Sequence, residues 1–140
     1  MLTLIDETQL SYFQHDPVRP HINANFRITE NRKAFALWYN DEAPAAIICS
    51  AFCEDVPSTE EELDIPGTVA VFYTVWSYER GAGAEVVFDA VEWIKQNMPD
   101  VERFVTLSPP TEMAERFHLK NGAIKLRVNE ETINFEYEDV

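Results

Sequence analysis

Seven segments of the chain carry the continuous or alternating hydrophobic pattern of β-strands. The predicted strands are residues 25–28, 33–39, 45–53, 68–76, 101–107, 124–128 and 133–137, the first of them weak. The segment 68–76 (TVAVFYTVW) is apolar on both faces, which is typical of a central strand covered on both sides. Turn residues at 40–44 separate the second and third segments, which predicts an antiparallel hairpin there, and the last two segments predict another.

Three further segments carry helical signals. A short helix is expected from Asp6 to His15, because Asp6 and Gln9 have the spacing of a capping box. Residues 84–98 place apolar side chains on one stripe and are followed by Pro99. Residues 111–121 are followed by Gly122, a residue that commonly ends a helix. The sequence therefore predicts an α/β (α+β) chain whose mixed sheet contains a strand–helix–strand crossover.

Length and charge narrow the class of protein. A chain of 140 residues predicts one domain, residues 1–140. With 11 basic and 25 acidic residues its formal net charge is −14, which disfavours nucleic acid and anionic membranes as partners and favours a cationic one. The start of the chain lacks a signal-peptide pattern, and no apolar run approaches the roughly 18 residues of a membrane span, so we expect a cytoplasmic protein.

The cysteines and histidines indicate neither a disulfide nor a metal site. Cys49 and Cys53 lie on one predicted strand, where they would stand roughly 13 Å apart. The three histidines, His15, His21 and His118, are scattered along the chain. We therefore expect two buried thiols and no bound metal.

A predicted strand runs through two glycines into a helix between Val75 and Ala84. Gly81 and Gly83 would let the backbone approach a ligand closely, and the free N–H groups at the start of a helix attract anions. The turn lacks the Gly-Lys-Ser/Thr of a nucleotide triphosphate loop and the third glycine of a dinucleotide fold. It predicts a different phosphate-bearing ligand.

This turn resembles the acetyl-coenzyme A loop of the GCN5-related N-acetyltransferases (GNATs), which reads Gln/Arg-x-x-Gly-x-Gly/Ala. If Arg80 is the first position, Gly83 matches, but Glu85 takes the place of the last small residue. If Gly81 and Gly83 are the two small positions, Tyr78 replaces Gln/Arg. We prefer the second register, because a glutamate beside a pyrophosphate would be repelled.

A second segment resembles another GNAT motif. Thr111-x-x-Ala114-x-x-Phe117-His118-x-x-x-Gly122-Ala123 keeps the spacing of the family's Asn-x-x-Ala-x-x-Leu-Tyr-x-x-x-Gly-Phe. In the family this tyrosine lies near the sulfur of coenzyme A and protonates the departing thiolate. By position that role falls to His118. The alternative interpretation is that His118 only ends a helix and has no catalytic role.

The resemblance covers about residues 33–137 and implies a mainly antiparallel sheet flanked by helices, the acyl-CoA N-acyltransferase fold. In that fold the strands 68–76 and 101–107 would separate to receive acetyl-CoA, with no metal. A backbone N–H near Val75 or Trp76 would polarise the acetyl carbonyl. The implied coenzyme-binding residues are Val75, Trp76, Ser77, Arg80, Gly81, Ala82, Gly83, Ala84, Thr111 and Arg116.

Two features of the sequence concern the amine acceptor: the candidate bases and the acidic segment 54–64. A protonated amine needs a base, and the candidates are Glu54, Asp55 and Tyr73, although a solvated loop and a packed aromatic ring are the alternatives. The acidic segment 54–64 would attract a cationic amine, or it could serve only to keep an acidic protein in solution.

Three hypotheses follow. The first is an acetyl-CoA-dependent N-acetyltransferase that acts on a primary amine of a small molecule or a protein, with a homodimer left open. The second is a non-catalytic acidic module of the same fold that binds a basic protein. The third is an acidic inhibitor that occupies a basic groove. An enzyme needs free amides around Arg80–Gly83 and an open cleft, whereas a module could fill that cleft with Trp76 or Tyr78.

Overall fold

The computed structural model describes all 140 residues. Its strands are β1 (Leu2–Leu4), β2 (Arg32–Trp38), β3 (Pro44–Cys53), β4 (Val69–Ser77), β5 (Arg103–Thr106), β6 (Ile124–Val128) and β7 (Ile133–Glu136). Its helices are α1 (Ala82–Asn97) and α2 (Glu112–Lys120), and 3-10 segments occupy Glu7–His15, Ala24–Arg27 and Glu61–Asp64. No helix combines the length and apolar character that crossing a membrane requires.

The strands form one sheet in the order β1-β2-β3-β4-β5-β7-β6. Every neighbouring pair is antiparallel except β4 and β5, which run parallel because α1 crosses over between them. The predicted mixed, mainly antiparallel sheet flanked by helices is therefore confirmed.

Apolar residues cover both faces of the central strands. Phe35, Ile48 and Phe72 belong to the cluster that packs under α1 and against the β6–β7 hairpin. Ile47 and Tyr73 belong to a second cluster on the opposite face, which the N-terminal segments cover. This two-sided burial explains why β3 and β4 read as continuous apolar runs.

The first 31 residues differ most from the expectation. The predicted strand at 25–28 is wrong, because Ala24–Arg27 is a 3-10 turn whose Asn23 side chain accepts a hydrogen bond from Asn25 N. The predicted capping box of Asp6 and Gln9 is present, but it begins a 3-10 segment. An additional strand, β1, pairs with β2.

The two cysteines lie on β3 and are unpaired, as predicted. Both are buried on the face covered by the N-terminal segments. Burial raises the pKa of Cys49 to about 12 and that of Cys53 to about 11. Both side chains are therefore thiols, not thiolates, at neutral pH.

Candidate functional site

A cleft of about 350 Å³ opens where β4 and β5 separate. The two strands pair from Val69 and Arg103 to Phe72 and Thr106, and Leu107 N makes a last bond to Phe72 O at 3.0 Å. Beyond Phe72, β4 has no strand partner on the side that faces β5. Residues of α1, α2 and the loop after β5 form the other walls of the cleft.

Two backbone amides of β4, those of Val75 and Ser77, turn towards the cleft. Tyr78 N donates to Ala45 O of the neighbouring strand at 2.8 Å. Because bonding residues alternate along an antiparallel pair, Trp76 also bonds to β3, whereas Val75 and Ser77 turn their N–H groups the other way. Of the two positions predicted to supply a donor to the ligand carbonyl, Val75 N–H is therefore free to do so, whereas Trp76 N–H is not.

The start of α1 presents further unbonded amides at the cleft. Gly81 is the N-cap residue, with a φ of 84°, and no side chain caps the helix. The N–H groups of Gly83 and Ala84 donate to no protein acceptor. Together with the positive end of the helix dipole, these two donors can bind an anionic group.

Gly83 brings the start of α1 close to α2 across the cleft. A Cβ atom there would lie 3.2 Å from the ring of Phe117 and 3.7 Å from Ser77 Oγ. A side chain at this position would therefore narrow the cleft. The neighbouring Ala82 is buried, whereas Arg80 is exposed and does not line the cleft.

His118 lies in the wall of the cleft inside an aromatic cage. Its ring stacks on Phe135 at a centroid distance of 5.2 Å and meets the edges of Phe117 and Tyr137. Its Nδ1 lies 2.8 Å from Tyr137 Oη, and Nε2 has no protein partner. Burial lowers the pKa of His118 to about 4, so the imidazole is neutral at physiological pH.

The hydrogen-bond network assigns the tautomer of His118. Tyr137 Oη has no other partner, and burial raises the pKa of Tyr137, so the phenol keeps its proton. The buried hydroxyl has Nδ1 as its one acceptor, so the tautomer that satisfies both groups has the hydroxyl donating to Nδ1 and the ring proton on Nε2. His118 can donate a hydrogen bond into the cleft from this nitrogen.

Comparisons of the sequence give no match, either to a protein-family model or among curated proteins. Comparisons of the fold do. The GNAT domain of S. lividans PAT matches over 97% of this chain and 88% of its own, at 11% identity and a TM-score of 0.66. AAC(6')-Ib, solved with ribostamycin and coenzyme A, matches over 97% and 91%, at 16% identity and a TM-score of 0.70. The chain has the GNAT fold.

The fold is also similar to that of malonyl-CoA decarboxylases. The enzyme from Agrobacterium vitis matches over 99% of this chain at 18% identity and a TM-score of 0.82. The match covers 60% of that enzyme, so the chain spans about three-fifths of the decarboxylase's length.

Of the ten predicted coenzyme-binding residues, five line the cleft and five do not, namely Arg80, Gly81, Ala82, Ala84 and Arg116. Val75, Trp76, Ser77, Gly83 and Thr111 line the cleft of the GNAT fold. Thr111 is also the N-cap of α2, where its Oγ1 accepts from Ala114 N at 3.2 Å. Arg116 lies on the outer face of α2, 76% exposed and paired with Glu112, and does not line the cleft.

Of the predicted base candidates, Tyr73 lines the cleft, whereas Glu54 and Asp55 do not. Glu54 and Asp55 follow the end of β3 that pairs with Val69, four residues along β4 from Tyr73. The Tyr73 ring is buried under the Arg32 guanidinium at 5.3 Å, and burial raises its pKa far above the usual value. A phenol that keeps its proton cannot accept one from an amine.

Trp76 does not fill the cleft. Its ring belongs to the cluster under the N-terminal segments, and its Nε1 donates to Tyr78 Oη at 2.9 Å. Trp76 and Tyr78, the two aromatic residues that could have filled the cleft in a non-catalytic module, are therefore bonded to each other. The opening between β4 and β5 remains accessible.

Two residues of the site, Tyr137 and Ser108, were not predicted from the sequence. Ser108 lines the cleft just after β5, and its Oγ lies 2.8 Å from Thr106 Oγ1. Its position beyond the carboxyl end of a strand parallel to β4 was the available signal, because ligands of parallel sheets bind at that edge. Tyr137 gave no signal, since it has the pattern of a core strand residue.

The lowered pKa of His118 should make stability depend on pH. Its pKa is about 4 in the folded chain and about 6.5 when unfolded, so the unfolded state binds the proton first as the pH falls. The contribution is complete above pH 6.5 and is lost as the pH falls towards 4. Between pH 7 and pH 5 the free energy of unfolding, measured with urea, should fall by about 2 kcal/mol less in His118→Phe than in the wild type, because phenylalanine does not titrate. Equal losses in the two proteins would contradict the burial of a neutral ring.

Proposed function

We propose that the chain is an acyl-CoA-dependent acyltransferase that transfers an acetyl group from acetyl-CoA to a primary amine. The observation that carries the proposal is the open cleft towards which Val75 N–H turns and which Gly83 lines, with the unbonded amides of Gly83 and of the adjacent Ala84 at the start of α1. An N–H donor on β4 can bind the carbonyl of a thioester, and the unbonded amides at the start of α1 can bind its phosphates. The GNAT fold supports this orientation.

In this proposal the protein acts by positioning and by hydrogen bonding. Val75 N–H would stabilise the negative charge that develops on the thioester oxygen as the amine nitrogen attacks the carbonyl carbon. The carbon–sulfur bond then breaks, the nitrogen releases its extra proton to solvent to leave the amide, and His118 Nε2–H would donate a hydrogen bond to the departing thiolate. A neutral imidazole with so low a pKa does not act as an imidazolium acid at neutral pH, so the thiolate takes its proton from solvent.

The acceptor amine would approach from the side of the acidic segment 54–64. Glu60 of this segment accepts from Arg19 and from His21. Since the other carboxylates of the segment face solvent or bind Ser58 and Arg32, their collective charge would concentrate a cationic amine near the opening without contacting it.

Decarboxylation of malonyl-CoA is a second candidate, which the lining of the cleft favours. No Asp or Glu lines the cleft, so no base for an amine is in place. Decarboxylation needs no base: the bond from the thioester α-carbon to the carboxylate breaks, carbon dioxide leaves, and the electron pair stays behind as an enolate. The donors Val75 N–H and His118 Nε2–H could stabilise the enolate oxygen, and the α-carbon then takes a proton from water.

One set of incubations distinguishes the two reactions. The purified chain is given acetyl-CoA with a panel of amines, and separately malonyl-CoA, and the products are measured by mass spectrometry. An acetylated amine with an equivalent of free coenzyme A supports acyl transfer. Acetyl-CoA formed from malonyl-CoA without free thiol supports decarboxylation. No product, together with no calorimetric binding of either thioester at millimolar concentration, would contradict both and favour the non-catalytic module.

A further inference from the structure

Arg19 lies between β4 and β5 at the point where the two strands separate. Its Nε donates to Tyr73 O at 2.8 Å, and its Nη2 donates to Leu107 O at 2.7 Å. The side chain is only 8% exposed. One buried guanidinium therefore connects the last carbonyl groups on the two sides of the opening.

These two carbonyls follow the last bond of the strand pair. After Leu107 N has bonded to Phe72 O, the next acceptors are Tyr73 O on β4 and Leu107 O beyond β5. Buried carbonyls without a donor are costly, so the strands would otherwise have to close on each other or admit water. Arg19 satisfies both carbonyls while the strands stay apart.

Three residues outside β4 and β5, namely Asp16, Arg27 and Glu60, form hydrogen bonds with Arg19. Asp16 Oδ1 accepts from Arg19 N at 3.0 Å and from Thr74 Oγ1 at 2.9 Å. Arg27 Nη2 donates to Arg19 O at 2.7 Å, and Glu60 Oε1 accepts from Arg19 Nη1 at 2.5 Å. Both the backbone and the guanidinium of Arg19 are thus fixed by groups outside the two strands.

We infer that Arg19 is a positioning residue that sets the separation of β4 and β5 and so aims Val75 N–H at the acyl group. Tyr73 and Val75 lie two residues apart on the same edge of β4, so a shift at Tyr73 O moves the donor as well. The planar fork of an arginine can bond two carbonyls and a carboxylate at once, whereas a lysine is a point donor. The inference rests on the proposed function, in that the cleft takes a thioester.

The kinetic test compares Arg19→Gln with Arg103→Gln. Arg103 pairs with Glu136 at the closed end of the same two strands, so its loss removes an equivalent charge far from the opening. We expect Arg19→Gln to lower kcat about 100-fold for whichever thioester the wild type turns over, because misplacement by about 1 Å has that effect. The Kd for the thioester should change by less than roughly threefold, since the amides at α1 are untouched. Arg103→Gln should keep the wild-type kcat.

A second measurement needs no activity. Hydrogen exchange followed by mass spectrometry should show faster exchange in peptides covering 73–77 and 104–109 of Arg19→Gln, and not in those peptides of Arg103→Gln. If Arg19→Gln does not fold, Arg19→Lys keeps the charge and takes its place in both measurements. Wild-type exchange and wild-type kcat in a folded Arg19 variant would overturn the inference. A wild-type chain that binds no thioester would instead contradict the proposed function, and faster exchange would still support the role of Arg19 in spacing the strands.

Discussion

Replacing His118 with phenylalanine should lower turnover about 100-fold while leaving the affinity for the thioester nearly unchanged. The Nε2–H of His118 is a side-chain donor that faces the cleft without a protein partner. Its hydrogen bond strengthens only as negative charge develops on the substrate, so its loss affects kcat more than binding. Steady-state rates and calorimetry on the same preparation measure the two effects separately.

His15→Phe is the matched control for this substitution. His15 ends the first 3-10 segment, is exposed and does not line the cleft. The control should keep both the wild-type rate and the wild-type affinity. A His118→Phe protein that turns over at the wild-type rate would show that the charge is stabilised by Val75 N–H alone, and the assignment of His118 would be wrong.

The largest loss of stability is expected for Asp16→Ala. The Asp16 carboxylate accepts from Arg27 Nη1 at 2.6 Å, and neither side chain is exposed to solvent. The same carboxylate accepts from Val18 N, Arg19 N and Thr74 Oγ1. Removing it leaves a buried guanidinium without its counter-ion, which costs about 3–5 kcal/mol. Urea unfolding followed by tryptophan fluorescence measures the change.

Asp64→Ala provides the comparison for an exposed ion pair. Asp64 pairs with Arg32 at 2.7 Å, but its side chain is 74% exposed. Solvent screens such a pair, so the expected loss is below about 1 kcal/mol. Equal losses in Asp16→Ala and Asp64→Ala would contradict the expectation that Arg27, when buried, needs the Asp16 carboxylate as its counter-ion.

The central part of the fold was predictable because its signals are local. The apolar run of β4, the stripe of α1 and the glycines between them are adjacent in sequence, and each is decided by periodicity or by backbone freedom. The N-terminal segment 16–27 was not predictable, because Arg27 is a charged residue whose burial depends on an aspartate eleven positions away. The periodicity of hydrophobic residues along the sequence does not indicate a buried ion pair of this kind.

The site was predictable in part for the same reason. Val75, Gly83 and His118 could be placed in the cleft from motifs that keep their spacing along the chain. The faces of the residues after Tyr73 could not be predicted, because β4 has one extra residue opposite Cys49 and Ser50 of β3. Tyr73 lies on the face of Val69 and Val71, away from α1, whereas Val75 packs against the cluster under α1. Arg19 belongs to a segment without any regular pattern.

The two protonated, enclosed sulfur atoms on β3 make a colorimetric assay of this chain straightforward. Reagents that titrate free thiol would detect coenzyme A released during turnover, and the native polypeptide would contribute almost no signal. Two equivalents of colour per chain would appear only on denaturation. The same reagent therefore serves both as a detector of product and as a gauge of how much of a variant has lost its structure.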